Sequence, residues 1–356
     1  MKREVVATVR ADALRHNLRV VRRLCPRSRV VAMVKANAYG HGLVPAAKAL
    51  ADADALGVAV IDEALALRAA GIDRPVMVLE GACSPGELRV AAEQGFELVV
   101  HQREQVDMLR HTALARPLDI WLKLETGMHR LGLPVELADS AVEGLRGRVR
   151  QIGALTHFAC ADERDNPLTR QQLDRLLAFS RRHHLAASAA NSAAITGFPA
   201  AHLDRVRPGI MLYGGAPQAG LAAADFDLRP VMTLTARVIA INDVPRGESV
   251  GYGATWRAPR DSRIGVVGIG YGDGYPRNAM PGTPVRIGEH QVPLVGRVSM
   301  DMITVDLSAH PGIRIGDEAV LWGEALPADV VARHANTISY ELFCRLTSRV
   351  RFDYPH

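Results

Sequence analysis

Apolar residues recur along the first two thirds of the chain in short continuous runs, separated by stretches with helical spacing. Runs at 30–35, 55–60, 76–79, 96–100, 118–124 and 151–157 have the length and β-branched content of buried strands. Ahead of them, 5–9 reads as a short strand, and Asp12 is placed to cap a helix carrying Leu14, Leu18, Val21 and Leu24. Ser84-Pro85-Gly86-Glu87 opens another helix with capping-box spacing and proline at the first helical position. Weaker runs at 187–191 and 206–213 bring the count from Val30 to eight strand–helix units, the number a (β/α)8 barrel requires. A doubly wound open sheet is the alternative for any such alternation.

The pattern changes near Arg229-Pro230. Beyond it, 231–241 alternates, 264–269 is apolar, and 284–306 and 317–322 carry further strands between Gly, Pro and Asp turns. A short helix follows from Pro327, then a helix or strand within 339–352. At 356 residues the chain fits two domains rather than one core. The expectation is an α/β protein: a (β/α)8 barrel over 1–228 and a β-rich domain over 229–356. The strand at 5–9 is supernumerary to the barrel and is expected to pair with the second domain.

Charge and composition narrow the functional classes. The net charge of +5 is modest for this length, and no basic run is interleaved with aromatics, so nucleic acid is not an expected partner. No apolar run is long enough to span a membrane, and the start lacks the apolar core of a signal peptide. Cys25, Cys83, Cys160 and Cys344 are scattered without zinc or redox spacing, which suits reduced thiols and a cytoplasmic setting. Lysine is scarce: only Lys2, Lys35, Lys48 and Lys123 accompany thirty-nine arginines. Lys35 stands at the tip of an apolar strand and Lys123 within another, although burying an ammonium is costly unless it is paired or neutral. Arginine cannot lose its proton and so cannot form an imine, which gives lysine a chemical reason to be there.

Catalytic groups of barrels gather at the C-terminal strand ends. Those ends carry Lys35 and Tyr39; Lys123, Thr126, Gly127 and Arg130; His157; Asn191 and Ser192; and Arg207-Pro208-Gly209-Ile210. The Gly209-Ile210 backbone and the Ser192 hydroxyl suit a phosphate. No carboxylate pair of the glycosidase kind and no histidine–carboxylate metal cluster is there, and His157 with Cys160 lacks a third ligand, so no metal is expected. A lysine at a strand end beside a phosphate cradle suggests an imine to pyridoxal phosphate; an aldolase-type imine remains open on the residues alone.

The motifs resemble those of the alanine racemase family, pyridoxal-phosphate enzymes of fold type III. The resemblance begins at Ala32-Met33-Val34-Lys35-Ala36-Asn37-Ala38-Tyr39-Gly40-His41-Gly42. It continues through Lys123-Leu124-Glu125-Thr126-Gly127-Met128-His129-Arg130-Leu131-Gly132, Thr156-His157-Phe158-Ala159, Asn191-Ser192 and Arg207-Pro208-Gly209-Ile210. In the second domain it takes in Val250-Gly251-Tyr252-Gly253-Ala254-Thr255-Trp256, Gly270-Tyr271-Gly272-Asp273-Gly274 and Gly296-Arg297-Val298-Ser299-Met300-Asp301.

The resemblance implies interconversion of L- and D-alanine in a homodimer with shared sites. Lys35 would hold pyridoxal phosphate as an imine and then act as base on one face of the substrate, with Tyr252 as base on the other. His157 and Arg207 would lie beside Tyr252, and Arg207 would face the pyridine nitrogen. Unable to accept a proton, it would leave that nitrogen unprotonated and so disfavour transamination. Tyr39, Ser192, Gly209 and Ile210 map to phosphate contacts. Arg130 and the Met300 backbone N–H map to the substrate carboxylate, and Tyr271 to the entrance. Lys123 matches a lysine that is carbamylated in many relatives. A non-catalytic pyridoxal-phosphate carrier and a same-fold decarboxylase are the alternatives, and D-alanine for cell walls or alanine catabolism are the two uses. Asp301 reads as a structural acceptor. Gly268-Ile269-Gly270-Tyr271-Gly272 hints at a dinucleotide loop, but Pro276 and the lack of a following helix argue against one. Two departures stand out: Ser299 replaces a cysteine of many relatives, and Ser348 replaces a phosphate-binding tyrosine of some.

Overall fold

A computed structural model describes residues 4–355. They fall into two compact units: Leu14–Leu212 with Ala216–Leu228, and the remainder, comprising the chain up to Ala13, Tyr213–Gly215 and Arg229 onward. A first strand, β1 (Val6–Val9), belongs to the latter unit. In the former, eight strands close into a parallel barrel: β2 (Arg29–Met33), β3 (Ala55–Val58), β4 (Val76–Val78), β5 (Glu97–Val100), β6 (Asp119–Lys123), β7 (Gln151–Leu155), β8 (Ala186–Ser188) and β9 (Arg205–Val206). Every residue of β3, β4 and β5 is buried. Strands covered on both faces read as continuous apolar runs rather than alternations, which is why the pattern marks them so clearly. Glu97 is the charged exception. Its carboxylate pairs with Arg205 at 2.5 Å and accepts the Trp121 indole N–H at 2.9 Å.

The structure differs from the sequence reading at one strand and at one helix start. The run at 206–213 yields only β9; Pro208 and Gly209 stop it, and Ile210–Tyr213 turns into a 3₁₀ helix. Asp12 does not cap. It lies inside the first turn of the helix Ala11–Leu24, where its carboxylate takes a hydrogen bond from Arg10 Nη2 at 2.8 Å. From there its charge complements the positive end of the helix. Ser84, by contrast, does cap Pro85–Gln94, accepting the Glu87 N–H at 3.2 Å, while the Glu87 side chain reaches back to Cys83 N at 2.6 Å.

The second unit is built on β10 (Met232–Val244), β11 (Ser249–Val250), β12 (Trp256–Arg257), β13 (Ser262–Val267), β14 (Pro284–Ile287), β15 (His290–Val295), β16 (Ile303–Asp306), β17 (Glu318–Trp322) and β18 (Arg351–Asp353). Its main sheet runs β13-β16-β15-β14-β17-β10-β1-β18, and β10 also pairs with β13, so six of these strands form a closed ring. A register irregularity between Val238 and Ala240 lets the thirteen-residue β10 serve β1 and β17 with its first half and β13 with its second. β1 lies between β10, antiparallel, and β18, parallel. The stretch 339–352 resolves into the helix Ser339–Cys344 and the start of β18.

Candidate active site

The barrel brings its candidate residues to one rim. Lys35 stands two residues past β2, Lys123 ends β6, His157 stands two residues past β7, and Arg207 directly follows β9. Beyond Lys35 the backbone turns left-handed for four successive non-glycine residues, with φ of 52° at Ala36, 53° at Asn37, 54° at Ala38 and 53° at Tyr39. Each such residue costs roughly 1–2 kcal/mol, so this turn is held by its surroundings rather than by its own preference. The Asn37 side chain accepts the Leu43 N–H at 2.8 Å, and the buried His41 ring bonds the Tyr39 carbonyl at 2.9 Å.

Positive charge dominates this rim. Burial, then Arg207, Lys123, Arg130 and Lys35, push His157 well below its ordinary 6.5. Burial, then Arg207, Arg130 and Lys35, lower Lys123 from 10.5 to about 8, with Glu125 as the opposing charge. Arg207 is fully buried and is itself lowered to about 10 by that burial. Its guanidinium donates to Thr156 O at 2.5 Å, to Ala189 O at 3.1 Å and to Ser188 Oγ. Among the described residues, no carboxylate forms an ion pair with it. Buried charges are normally paired. Here neutral acceptors alone hold the guanidinium.

The phosphate candidates also converge. Ser192 Oγ accepts the Gly209 N–H at 2.8 Å and the Met211 N–H at 3.4 Å. Asn191 caps the short helix Ser192–Gly197 by accepting Ala194 N–H at 3.0 Å. The Tyr39 hydroxyl lies so close to Gly209 that a Cβ there would collide with it. Tyr39, Ser192, Gly209 and the adjoining Ile210 thus form one cradle of hydroxyls and backbone amides. A cavity of about 560 Å³ opens elsewhere, at the N-terminal strand ends, where the Arg205–Glu97 and Arg150–Asp119 ion pairs line it. The N-terminal face of a barrel is the stabilising one.

Tyr252, Tyr271 and Met300 belong to the β-rich unit. Tyr252 opens a 3₁₀ turn after β11 and is 70% exposed. Tyr271 and Met300 sit on adjoining loops: Tyr271 N donates to Ser299 O at 3.1 Å, and Gly272 N to Met300 O at 2.8 Å. Arg349 clamps both loops, forming an ion pair with buried Asp273 at 3.2 Å and a hydrogen-bonded pair with Asp301 at 2.7 Å. Asp301 is accordingly a structural acceptor. Ser348, beside this arginine, is exposed.

Family comparison accounts for both units. The family model for the alanine racemase N-terminal domain matches residues 9–217, and that for the C-terminal domain matches 231–354. The chain belongs to the alanine racemase family. An alanine racemase of Aeromonas hydrophila is 49% identical over 98% of this chain and 99% of its own. One of Pectobacterium carotovorum is also 49% identical, over 98% of each. Among solved structures, the biosynthetic alanine racemase of Pseudomonas aeruginosa superposes with a TM-score of 0.97 at 46% identity, covering all of both chains. That of Acinetobacter baumannii gives 0.95 at 42% identity, covering 99% of this chain and 100% of its own.

Within this family frame, several supporting residues escaped the sequence reading. Gln172, fully buried, donates to His157 O at 3.0 Å and Thr126 Oγ1 at 3.2 Å, and accepts Ala159 N–H at 3.0 Å. It joins the ends of β6 and β7. Glu125 accepts the N–H groups of Gly127 at 2.5 Å, Met128 at 2.9 Å and His129 at 2.8 Å, folding the loop that carries Arg130. Glu125 stands inside the Lys123–Gly132 motif, which is the one signal that could have found it. Ser188 and Gln172 offer none, lying in an alanine tract and on a polar helix.

Proposed function

We propose that this chain racemises alanine with pyridoxal phosphate as cofactor, in a homodimer that shares its sites. The observation that carries the reading is Arg207, buried, cationic and met only by neutral acceptors, in a cluster with Lys35, Lys123, Arg130 and His157. Such a cluster calls for an anion, and the Tyr39 and Ser192 hydroxyls beside the Gly209–Ile210 backbone would donate to a phosphate, the Gly209 N–H by exchanging Ser192 Oγ for it. The residues fit the cofactor: Lys35 would hold its aldehyde carbon, the cradle its phosphate, Arg130 its phenolic oxygen and Arg207 its ring nitrogen.

When bound, the cofactor acidifies the hydrogen on the substrate α-carbon by acting as an electron sink. The chain supplies the rest. Racemisation needs one proton acceptor on each side of that carbon, so that the proton leaves from one side and returns from the other. Lys35 Nζ serves one side, and the phenol of Tyr252 of the partner subunit serves the other. Arg207 donates hydrogen bonds but cannot take up a proton, so at the ring nitrogen of a bound cofactor it would hold that nitrogen unprotonated and favour return of the proton to the α-carbon. Arg130 and the Met300 N–H orient the substrate carboxylate, and Tyr271 stands at the entrance. The exposure of Tyr252, Tyr271 at 38% and Met300 at 52% supports the dimer, because a second copy would remove these groups from water. Four free cysteines, together with the absence of any described helix long and apolar enough to cross a membrane, support a cytoplasmic enzyme.

The test is incubation with L-alanine and pyridoxal phosphate, following optical rotation and carbon dioxide together. Rotation decaying to zero without gas release is the expected result; carbon dioxide release would instead identify a decarboxylase, and neither change a carrier. Borohydride reduction followed by peptide mapping is expected to find the pyridoxyl mass on Lys35.

A further inference from the structure

We infer that Glu63 is a positioning residue for the cofactor lysine, acting through the left-handed turn that follows it. This inference rests on the proposed function for its consequence, and on geometry for its existence. The helix Ile61–Ala69 follows β3, and Glu63 lies in its first turn. Its carboxylate leaves the helix to accept two backbone N–H groups: Oε1 takes Ala36 N–H at 2.7 Å, and Oε2 takes Ala59 N–H at 2.8 Å. Ala36 is the first left-handed residue and the immediate neighbour of Lys35. Ala59 directly follows β3.

One half-buried side chain thus ties the peptide at the cofactor lysine to the adjacent barrel strand. That turn is where a tie is needed. Four left-handed residues without glycine will relax toward ordinary conformations unless the surroundings determine them. The turn separates Lys35 from Tyr39, so its shape fixes the spacing between the covalent and phosphate ends of the proposed cofactor site. A carboxylate suits the task because both its oxygens accept, whereas the amide of glutamine offers one acceptor and turns two donors on the other N–H. A misplacement of an ångström at a reacting group is enough to cost orders of magnitude in rate.

The test is Glu63→Gln, with cofactor affinity as the readout. Apo-protein is titrated with pyridoxal phosphate, following the visible band of the lysine-bound cofactor, on material shown to be folded by circular dichroism. The expected result is affinity weakened about tenfold or more, from one charged acceptor lost where the carboxylate holds both N–H groups. Hydrogen exchange is expected to rise in the peptide spanning 35–42 but not in the β6 and β7 peptides. Unchanged affinity together with unchanged exchange in 35–42 would overturn the inference. Should Glu63→Gln fail to fold, the wild-type apo-protein still decides: a protected Ala36 amide supports the clamp, and loop-like exchange there overturns it. A wild-type chain that takes up no cofactor at Lys35 would overturn the proposed function instead, while the exchange at Ala36 would still report on the clamp.

Discussion

The two units hold their candidate residues in opposite ways. At the barrel rim Lys123 and Arg207 are buried and like charges crowd together, so that His157 and Lys123 are both driven toward their neutral forms. In the β-rich unit Tyr252, Tyr271 and Met300 are exposed, while the loops beneath them are braced by Arg349, Asp273 and Asp301. An exposed set on a fixed backbone is a presented surface, finished by whatever covers it. The contrast suits the proposed division, with cofactor chemistry at the barrel rim and the site completed by the β-rich unit of a second copy.

The largest effects test that division of labour. Lys35→Ala and Tyr252→Phe are each expected to lower racemisation by about 10²–10⁴-fold, the range for loss of a positioned base. Exchange of the substrate α-hydrogen in deuterated water distinguishes them. Tyr252→Phe should keep washout from one enantiomer through Lys35, whereas Lys35→Ala should lose cofactor attachment as well. Next comes Arg207→Gln, expected to cost about 10²-fold in racemisation, as removal of a buried electrostatic partner does. A larger share of its turnovers should end in keto acid, read with a coupled dehydrogenase.

How far this was legible in the sequence follows the same division. Continuous apolar strands announced the barrel, and lysines at two strand ends in an arginine-rich chain pointed to an imine without saying which one. Tyr252, Tyr271 and Met300 carried no such signal from pattern alone; only the motifs singled them out, because an exposed aromatic on a turn reads like any other. The left-handed turn was hidden too. Ala36-Asn37-Ala38-Tyr39 contains no glycine, and its conformation is imposed by Glu63, Asn37 and His41. Glu63 looks like a solvated helix residue until the fold brings Ala36 to it, and Ser188 meets Arg207 only once β8 and β9 are adjacent. Partners remote in sequence leave no local trace.

Smaller effects sharpen the electrostatic side of the contrast. Lys123 has a folded value of about 8 against an ordinary 10.5. Between those values the unfolded chain binds a proton that the folded chain does not, so stability should climb with pH across this window. Below it the cost of the buried charge is fully present. Melting temperatures of cofactor-free protein in carbon-dioxide-free buffer should show that climb, and Lys123→Met should flatten it. His157 gives a second window. Held well below 6.5, it should weaken the fold as pH falls beneath 6.5, and His157→Gln should remove that part of the acid sensitivity. Smallest is Arg349→Met in the β-rich unit. Releasing Asp273 and Asp301 should raise KM for alanine by about two- to tenfold with little change in kcat, the signature of lost substrate positioning.

The most direct measurement mixes the two inactive chains. Lys35→Ala and Tyr252→Phe subunits are combined under conditions that exchange protomers, and racemisation is followed by optical rotation. A mixed dimer would contain one site with both bases, Lys35 from one chain and Tyr252 from the other, and one site with neither. A shared site predicts activity that neither parent shows, rising as exchange proceeds. If full exchange, confirmed by mass-tagged subunits, brings no recovery, the shared site is contradicted.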